Sequence, residues 1–190
     1  MHWSIVIDLA IPVAERAAVA VEQLSEPMRH LGIGFSAVPT DRVRFIVASG
    51  TVEDEGGWEL IDEVLTAVAG STRRFTFRLA APAWHPDEAT ARTLVAPATE
   101  GNEAVRALRE AVAAGLGPDL CKTATRDEGA GEVVLLGMLA PADHYELRGL
   151  LPAAAADLGS TVAADLALVR WHETTGGPRW RVSKRYFFNG

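Results

Sequence analysis

The sequence predicts an α+β fold in which mixed or antiparallel sheets carry helices on their outer faces. Strand-like and helix-like segments do not alternate strictly: the order reads β-α-β-β-α-β-β and then α-β-α-β-β, with recurring hairpins. That order disfavours a doubly wound parallel sheet. No glycine-rich loop follows a strand and opens a helix, so neither a dinucleotide-binding fingerprint nor a P-loop is present. Hydrophobic residues make up 48% of the 190-residue chain, enough for a core within one domain.

Ser4 to Leu9 is a short, β-branched apolar run and predicts a buried strand. Pro12 suits a first helical turn, and Val13, Ala17, Val21 and Leu24 recur at helical spacing, so a helix runs from about Pro12 to Leu31. Pro27 is expected to kink or end its regular part, with Gly32 and Gly34 breaking the chain. Strands are predicted over Phe35–Val38 and Arg42–Val47, separated by the turn Pro39-Thr40-Asp41. A helix over Trp58–Ala69 buries Leu60, Ile61, Val64, Leu65 and Val68. Phe75–Leu79 alternates as a strand, Trp84–Asp87 reads as a loop, and Thr93–Ala96 as a further strand. Glu103–Leu116 is a helix closed by Gly115 and Gly117. The polar stretch Lys122–Gly131 reads as a loop, Glu132–Met138 as a strand, and Pro141 opens a helix to about Ala156. Val162–Trp171 is a strand, Thr174–Pro178 a turn, and Trp180–Phe188 closes a hairpin.

Charge and cysteine content narrow the function classes. A net charge of −7 disfavours a general nucleic-acid binder, which needs a basic surface. Cys121 is the only cysteine, so an internal disulfide and a cysteine metal cluster are both excluded, as suits a reducing compartment. The start of the chain lacks the pattern of a signal peptide, and no apolar run approaches the ~20 residues that cross a bilayer. These features predict a cytoplasmic protein without a membrane segment.

An apolar first strand ending in an acidic residue (Ile5-Val6-Ile7-Asp8-Leu9), a helix, a strand running into Gly50, the strand–loop–strand from Phe75 to Val95, and a closing hairpin from Leu166 to Phe188 follow one another here. In this layout the chain resembles the LigT-like (2H phosphoesterase) family of bacterial 2'-5' RNA ligases and cyclic phosphodiesterases, over almost its whole length. The resemblance implies a single domain of two pseudo-repeated lobes with crossed-over termini, sheets flanking a central groove, and helices outside. It also implies a pair of His-x-Thr motifs facing across that groove. One histidine takes a proton from the nucleophile, the other gives one to the leaving oxygen, and the threonines hold phosphate oxygens.

At the first motif position this chain has Arg42-Val43-Arg44-Phe45, and at the second Glu132-Val133-Val134-Leu135. Strand alternation puts Arg42 and Arg44 on the groove face; counting back from Gly50 puts Val43 and Phe45 there instead. Neither register supplies a histidine. Arginine stays protonated and is no ordinary general base. Guanidinium groups do grip phosphate and carboxylate bidentately, so Arg42 and Arg44 are the candidate anion-binding pair. Glu132 stands at the second motif's histidine position, as an acid/base group or, more in keeping with its charge, an ion-pair partner of those arginines.

Of the histidines, His2, His30, His85, His144 and His172, none has metal-ligand spacing with another. His85 lies beside Trp84 in an expected loop, His144 beside Asp143 at an expected helix start, and His172 follows Trp171 near Arg170, where both would reach the groove rim. Cys121 has no defined histidine partner and is a weak nucleophile candidate. Arg179, Arg181, Lys184 and Arg185 interleave with Trp180, Tyr186 and Phe187, a pattern shared by single-strand binders and ordinary solvated hairpins, of which the solvated hairpin fits the acidic chain better.

The expected function is therefore a divergent 2H phosphoesterase-like protein without the two-histidine phosphodiesterase activity. Its groove binds an anionic or nucleotide-like small molecule through Arg42, Arg44 and Arg170, in a bacterial specialised pathway, with no cofactor or metal implied. The alternatives are a phosphodiesterase that draws its acid/base groups from Glu132, His85 and His172, and a protein-interaction domain.

Overall fold

The computed structural model describes residues 1–39, 43–85, 90–121, 132–143, 150, 156–174 and 177–190, with side-chain surroundings described for all of these except 90–92, 138–143 and 172–179. The strands are β1 (His2–Asp8), β2 (Phe35–Ala37), β3 (Arg44–Thr51), β4 (Phe75–Leu79), β5 (Ala83–His85), β6 (Thr90–Glu100), β7 (Glu132–Asp143), β8 (Gly159–Ala163), β9 (Asp165–Thr174) and β10 (Gly177–Phe187). The helices among these residues are α1 (Ile11–His30), α2 (Glu55–Ser71) and α3 (Asn102–Leu120).

Two sheets result. The first has the order β10-β9-β1-β3, and the second β2-β7-β6-β4-β8 with β5 on β6. All of these strand pairs are antiparallel, the all-antiparallel form of the expected α+β class. Helices α2 and α3 pack on the first sheet, and α1 lies against β7 and β8 of the second. One apolar core runs through both sheets, because Phe45 of β3 meets Phe77 of β4 edge-to-face, with ring centroids 5.1 Å apart.

The helix ends follow local chemistry. Pro12 sits in the first turn of α1, and Ala10 N–H at its start donates to Thr161 Oγ1 of β8 at 3.2 Å. The helix passes through Pro27 and continues to His30. It closes when Gly32, at φ +70°, donates to Arg29 O and Ile33 donates to Met28 O, the Schellman pattern. In α2, Asp54 caps the N-terminus by accepting from Gly57 N–H at 2.8 Å. The regular part of α3 ends at Gly117, at φ +71°, one of the two glycines expected to close it, and a further turn carries the chain to Leu120.

Three expectations are corrected. Trp84 and His85 belong to β5, paired with Leu94 and Thr93, because Trp84 is drawn into the core; Pro86 and Asp87 lie outside the described residues. The stretch from Pro141 to Asp143 continues β7 rather than opening a helix: Asp143 and Ala142 pair with Thr90 and Ala91, and that cross-strand register overrides the local preference of proline for a helix start. The expected helix beyond it, like the loop Lys122–Gly131, falls outside the described residues. The predicted single strand Val162–Trp171 is two strands meeting at Ala164. There the chain leaves the second sheet for the first, and Ala164 O accepts from Phe188 N–H. Among the described residues no helix is long and apolar enough to cross a membrane.

Candidate functional site

The first sheet has two unlike faces, set by strand alternation. Trp3, Ile5, Ile7, Phe45, Leu166, Leu168 and Tyr186 belong to the core under the helices. The opposite face is built of cross-strand rows. At one end Asp8 pairs with Arg44 in register, and Arg185 stands on the next row, opposite Ala167 of β9, which itself pairs with Val6. The middle of the face is apolar, with Val6, Ala167 and Val169 buried and Ile46 and Val182 half-buried against them. The last row is aromatic: Thr51, His2, Trp171 and Trp180 stand side by side on β3, β1, β9 and β10.

The charged side chains of this end converge on Asp8. Arg44 Nε lies 2.7 Å from Asp8 Oδ1, and Arg185 Nη2 donates to Asp8 Oδ2. Arg185 Nη1 also grips Asp165 at 3.0 and 3.2 Å, and Asp8, ahead of all other causes, raises the pKa of Arg185 above its ordinary value. The small Ala167 leaves room for Arg185 to reach over β9 to β1. Two guanidinium groups directed at one partly exposed carboxylate form the arrangement that recognises an oxyanion.

The structure separates the residues singled out in the sequence. Arg44 lies on the helix-free face, while Val43 and Phe45, the other candidates for the first motif position, are buried in the core. Arg42 and His144 lie outside the described residues. Arg170 is on the opposite face from Arg44, so the two do not share a site. Its guanidinium sits 3.9 Å from the ring centre of Trp58 on α2, and its Nε is buried without a hydrogen-bond partner. His172 is in β9, opposite Arg179. Arg44 Nε pairs with Asp8. Glu132 stands near His85: Nδ1 of the imidazole is 3.9 Å from Oε2, with both side chains partly exposed. His30 is exposed with Nδ1 near Glu26 O, and Cys121 is buried. Among the described residues no group of His, Cys, Asp and Glu gathers as a metal site.

The basic hairpin is partly neutralised. Lys184 Nζ lies 2.5 Å from Asp62 Oδ1 on α2, and Tyr186 Oη donates to the same oxygen at 2.7 Å. The lysine, then the tyrosine, holds Asp62 below the usual carboxylate range, while burial first and Asp62 second push the Tyr186 phenol up. A raised phenol pKa favours the folded state below the ordinary tyrosine value of about 10, and that stability is lost as pH rises beyond it. Tyr186→Phe should cost about 1 kcal/mol at neutral pH through the lost hydrogen bond. The variant should also flatten the fall of Tm above pH 10; an unchanged alkaline slope in thermal melts would count against this assignment.

Sequence reasoning placed Arg44 but missed its partners. Asp8 was visible only as the acidic end of the first strand, and Arg185 only as one of several hairpin cations. No local signal joins residues 177 positions apart.

No protein-family model and no curated protein matches the sequence. Solved structures do match along the whole chain. TT0787 of Thermus thermophilus superposes with a TM-score of 0.72 at 22% identity, covering 100% of this chain and 99% of that one. E. coli LigT complexed with 3'-AMP gives 0.67 at 13%, covering 100% and 98%. Usb1 of Kluyveromyces marxianus gives 0.59 at 8%, covering 95% and 97%. The fold is that of the LigT-like 2H phosphoesterases.

Proposed function

We propose that this chain uses the LigT-like fold to bind an anionic, nucleotide-like small molecule on the helix-free face of the first sheet, without two-histidine phosphodiester cleavage. The observation that carries the reading is the convergence of Arg44 and Arg185 on Asp8 at the first motif strand. On this reading both motif positions lack histidine: Arg42 or Val43 stands at the first and Glu132 at the second. The kind of ligand is supported by the neighbours, since E. coli LigT structures hold 3'-AMP, NADP+, ATP and phosphate.

A thermal-shift screen against nucleotides, cyclic phosphates, coenzyme A-like compounds and sugar phosphates tests this, with turnover checked on each hit. A ligand at a hundred times its Kd adds about 2.7 kcal/mol of stability, and each kcal/mol raises Tm by roughly 2–4 °C in a chain of this size. Arg42→Ala/Arg44→Ala should abolish that gain, and an unchanged gain in the double variant would remove the site from this face.

One observation favours a second reading. His85 and Glu132 come within 3.9 Å of each other, and an imidazole beside a carboxylate is a usable acid/base pair. Turnover of a cyclic phosphate in the same screen, lost in Glu132→Gln, would select this phosphodiesterase reading over the binding protein.

A further inference from the structure

We propose that the open edge of β10 is a docking site for an extended segment of a partner protein, in which apolar and acidic residues alternate, added to the first sheet as a further strand. Strand β10 runs for 11 residues and ends its sheet: β9 pairs with one side of it, and among the described residues no strand pairs with the other. The backbone N–H and C=O groups along that outer side are a template for another chain. In strand addition of this kind the main-chain hydrogen bonds give affinity, and the alternating side chains give specificity.

Alternation gives this edge two unlike faces. On the helix-free face stand Trp180, stacked on Trp171, and Val182, and past a bulge between Val182 and Lys184 come Arg185 and Phe187. Trp180 is 37% exposed and Phe187 67%, so a large ring sits bare towards each end of the edge, roughly 20 Å apart at the rise of a strand. On the face towards α2 stand Arg181 and Lys184, both exposed, the lysine also held by Asp62. Directly opposed residues on one face of a sheet interact most strongly. The strand that fits this edge therefore turns apolar side chains to Trp180, Val182 and Phe187, and carboxylates to Arg181 and Lys184.

Charge selects the occupant. Within a chain of net charge −7, the stretch Gly177–Phe187 holds Arg179, Arg181, Lys184 and Arg185 and no carboxylate. A second copy joined antiparallel through β10 about a two-fold axis brings the Arg181 and Lys184 faces of both copies together, and like charges opposite one another destabilise a strand pair. Cations and a bulge on an edge are devices against such self-pairing. The same cations attract a strand that carries acidic residues at alternate positions.

The test is fluorescence-anisotropy titration of the full chain with three seven-residue peptides: valine alternating with glutamate, valine alternating with lysine, and the glutamate peptide N-methylated throughout. The glutamate peptide is expected to bind at least tenfold tighter than either of the others, since one lacks the charge and the other the main-chain donors. Arg181→Glu should erase the preference for glutamate over lysine, and Trp180→Ser should weaken the glutamate peptide about tenfold. If Trp180→Ser lowers the melt, Arg181→Glu decides alone, because that side chain is exposed. No binding of the glutamate peptide at millimolar concentration would overturn the docking site, as would equal binding of the N-methylated peptide or a preference unchanged in Arg181→Glu. Tighter binding of oligothymidylate than of the glutamate peptide would overturn it in favour of single-stranded nucleic acid. A dimer in sedimentation that Trp180→Ser dissolves would overturn it in favour of a second copy.

Discussion

Phe45→Ala is expected to destabilise the protein by about 3–5 kcal/mol, the range for truncating a large buried aromatic. Phe45 is fully buried and belongs to β3, yet its ring meets Phe77 of β4 in the other sheet. The substitution therefore removes transfer free energy, an edge-to-face pair and one of the contacts that hold the sheets together. The backbone cannot collapse into the gap, because β3 is held in register by β1 from Arg44 to Thr51. Chemical denaturation should show a lower midpoint, and thermal melts a drop of roughly 2–4 °C per kcal/mol lost. A cost under about 1 kcal/mol, the level of an ordinary surface change, would show that Phe45 does not sit at the joint. It would also reopen the alternative register, in which Phe45 occupies the motif threonine position in the groove.

Gly50→Ala should be as damaging, for a steric reason rather than a lost contact. A methyl group at residue 50 would lie 1.9 Å from Leu120 O and 2.6 Å from Trp3 Cζ2. The first is backbone, held where α3 ends and Cys121 bridges to Gly50; the second is a fully buried indole. Neither can yield cheaply, so the cost should reach about 3 kcal/mol, the upper end for overpacking, or exceed it. Gly70→Ala is the control. That glycine is in α2 with nothing within 4 Å of an added methyl, and alanine there should be neutral or stabilise by up to about 1 kcal/mol. Comparable melts for the two variants would refute the close approach at Gly50. The same glycine served as a landmark in the sequence, where it ends the first motif strand, but the reason it must be glycine is a neighbour 70 residues away.

Much of the fold was legible because periodicity reports burial directly. Val13, Ala17, Val21 and Leu24 recur on one side of α1 and are all buried. Phe75 to Leu79 alternates as the chain does in β4, with Phe77 and Leu79 inward. The misread segments are those in which a distant partner outweighs local preference. Trp84 sits in a short segment before a proline, yet pairing with Leu94 makes it a strand residue. Pro141 has the local look of a helix start, yet the pairing of β7 with β6 runs past it. Nothing in Val162–Trp171 marks the change of sheet at Ala164, because both strands are apolar and the break is a matter of which neighbours each half finds.

By itself the sequence determined the class of fold, the order of its main elements and which side of most strands is apolar. Those follow from local periodicity and from residue identity, which need no partner to be read. The tertiary structure decided which cations share a face. Arg44 and Arg170 look equivalent along the chain, but one meets Asp8 on the helix-free face and the other is set against Trp58 beneath α2. It also brought Arg185 to Asp8 and placed His2 on Trp171 and Trp180, because cross-strand pairing joins residues from the two ends of the chain. Register converts a string of alternating side chains into rows, and the rows appear only once each strand has found its neighbours.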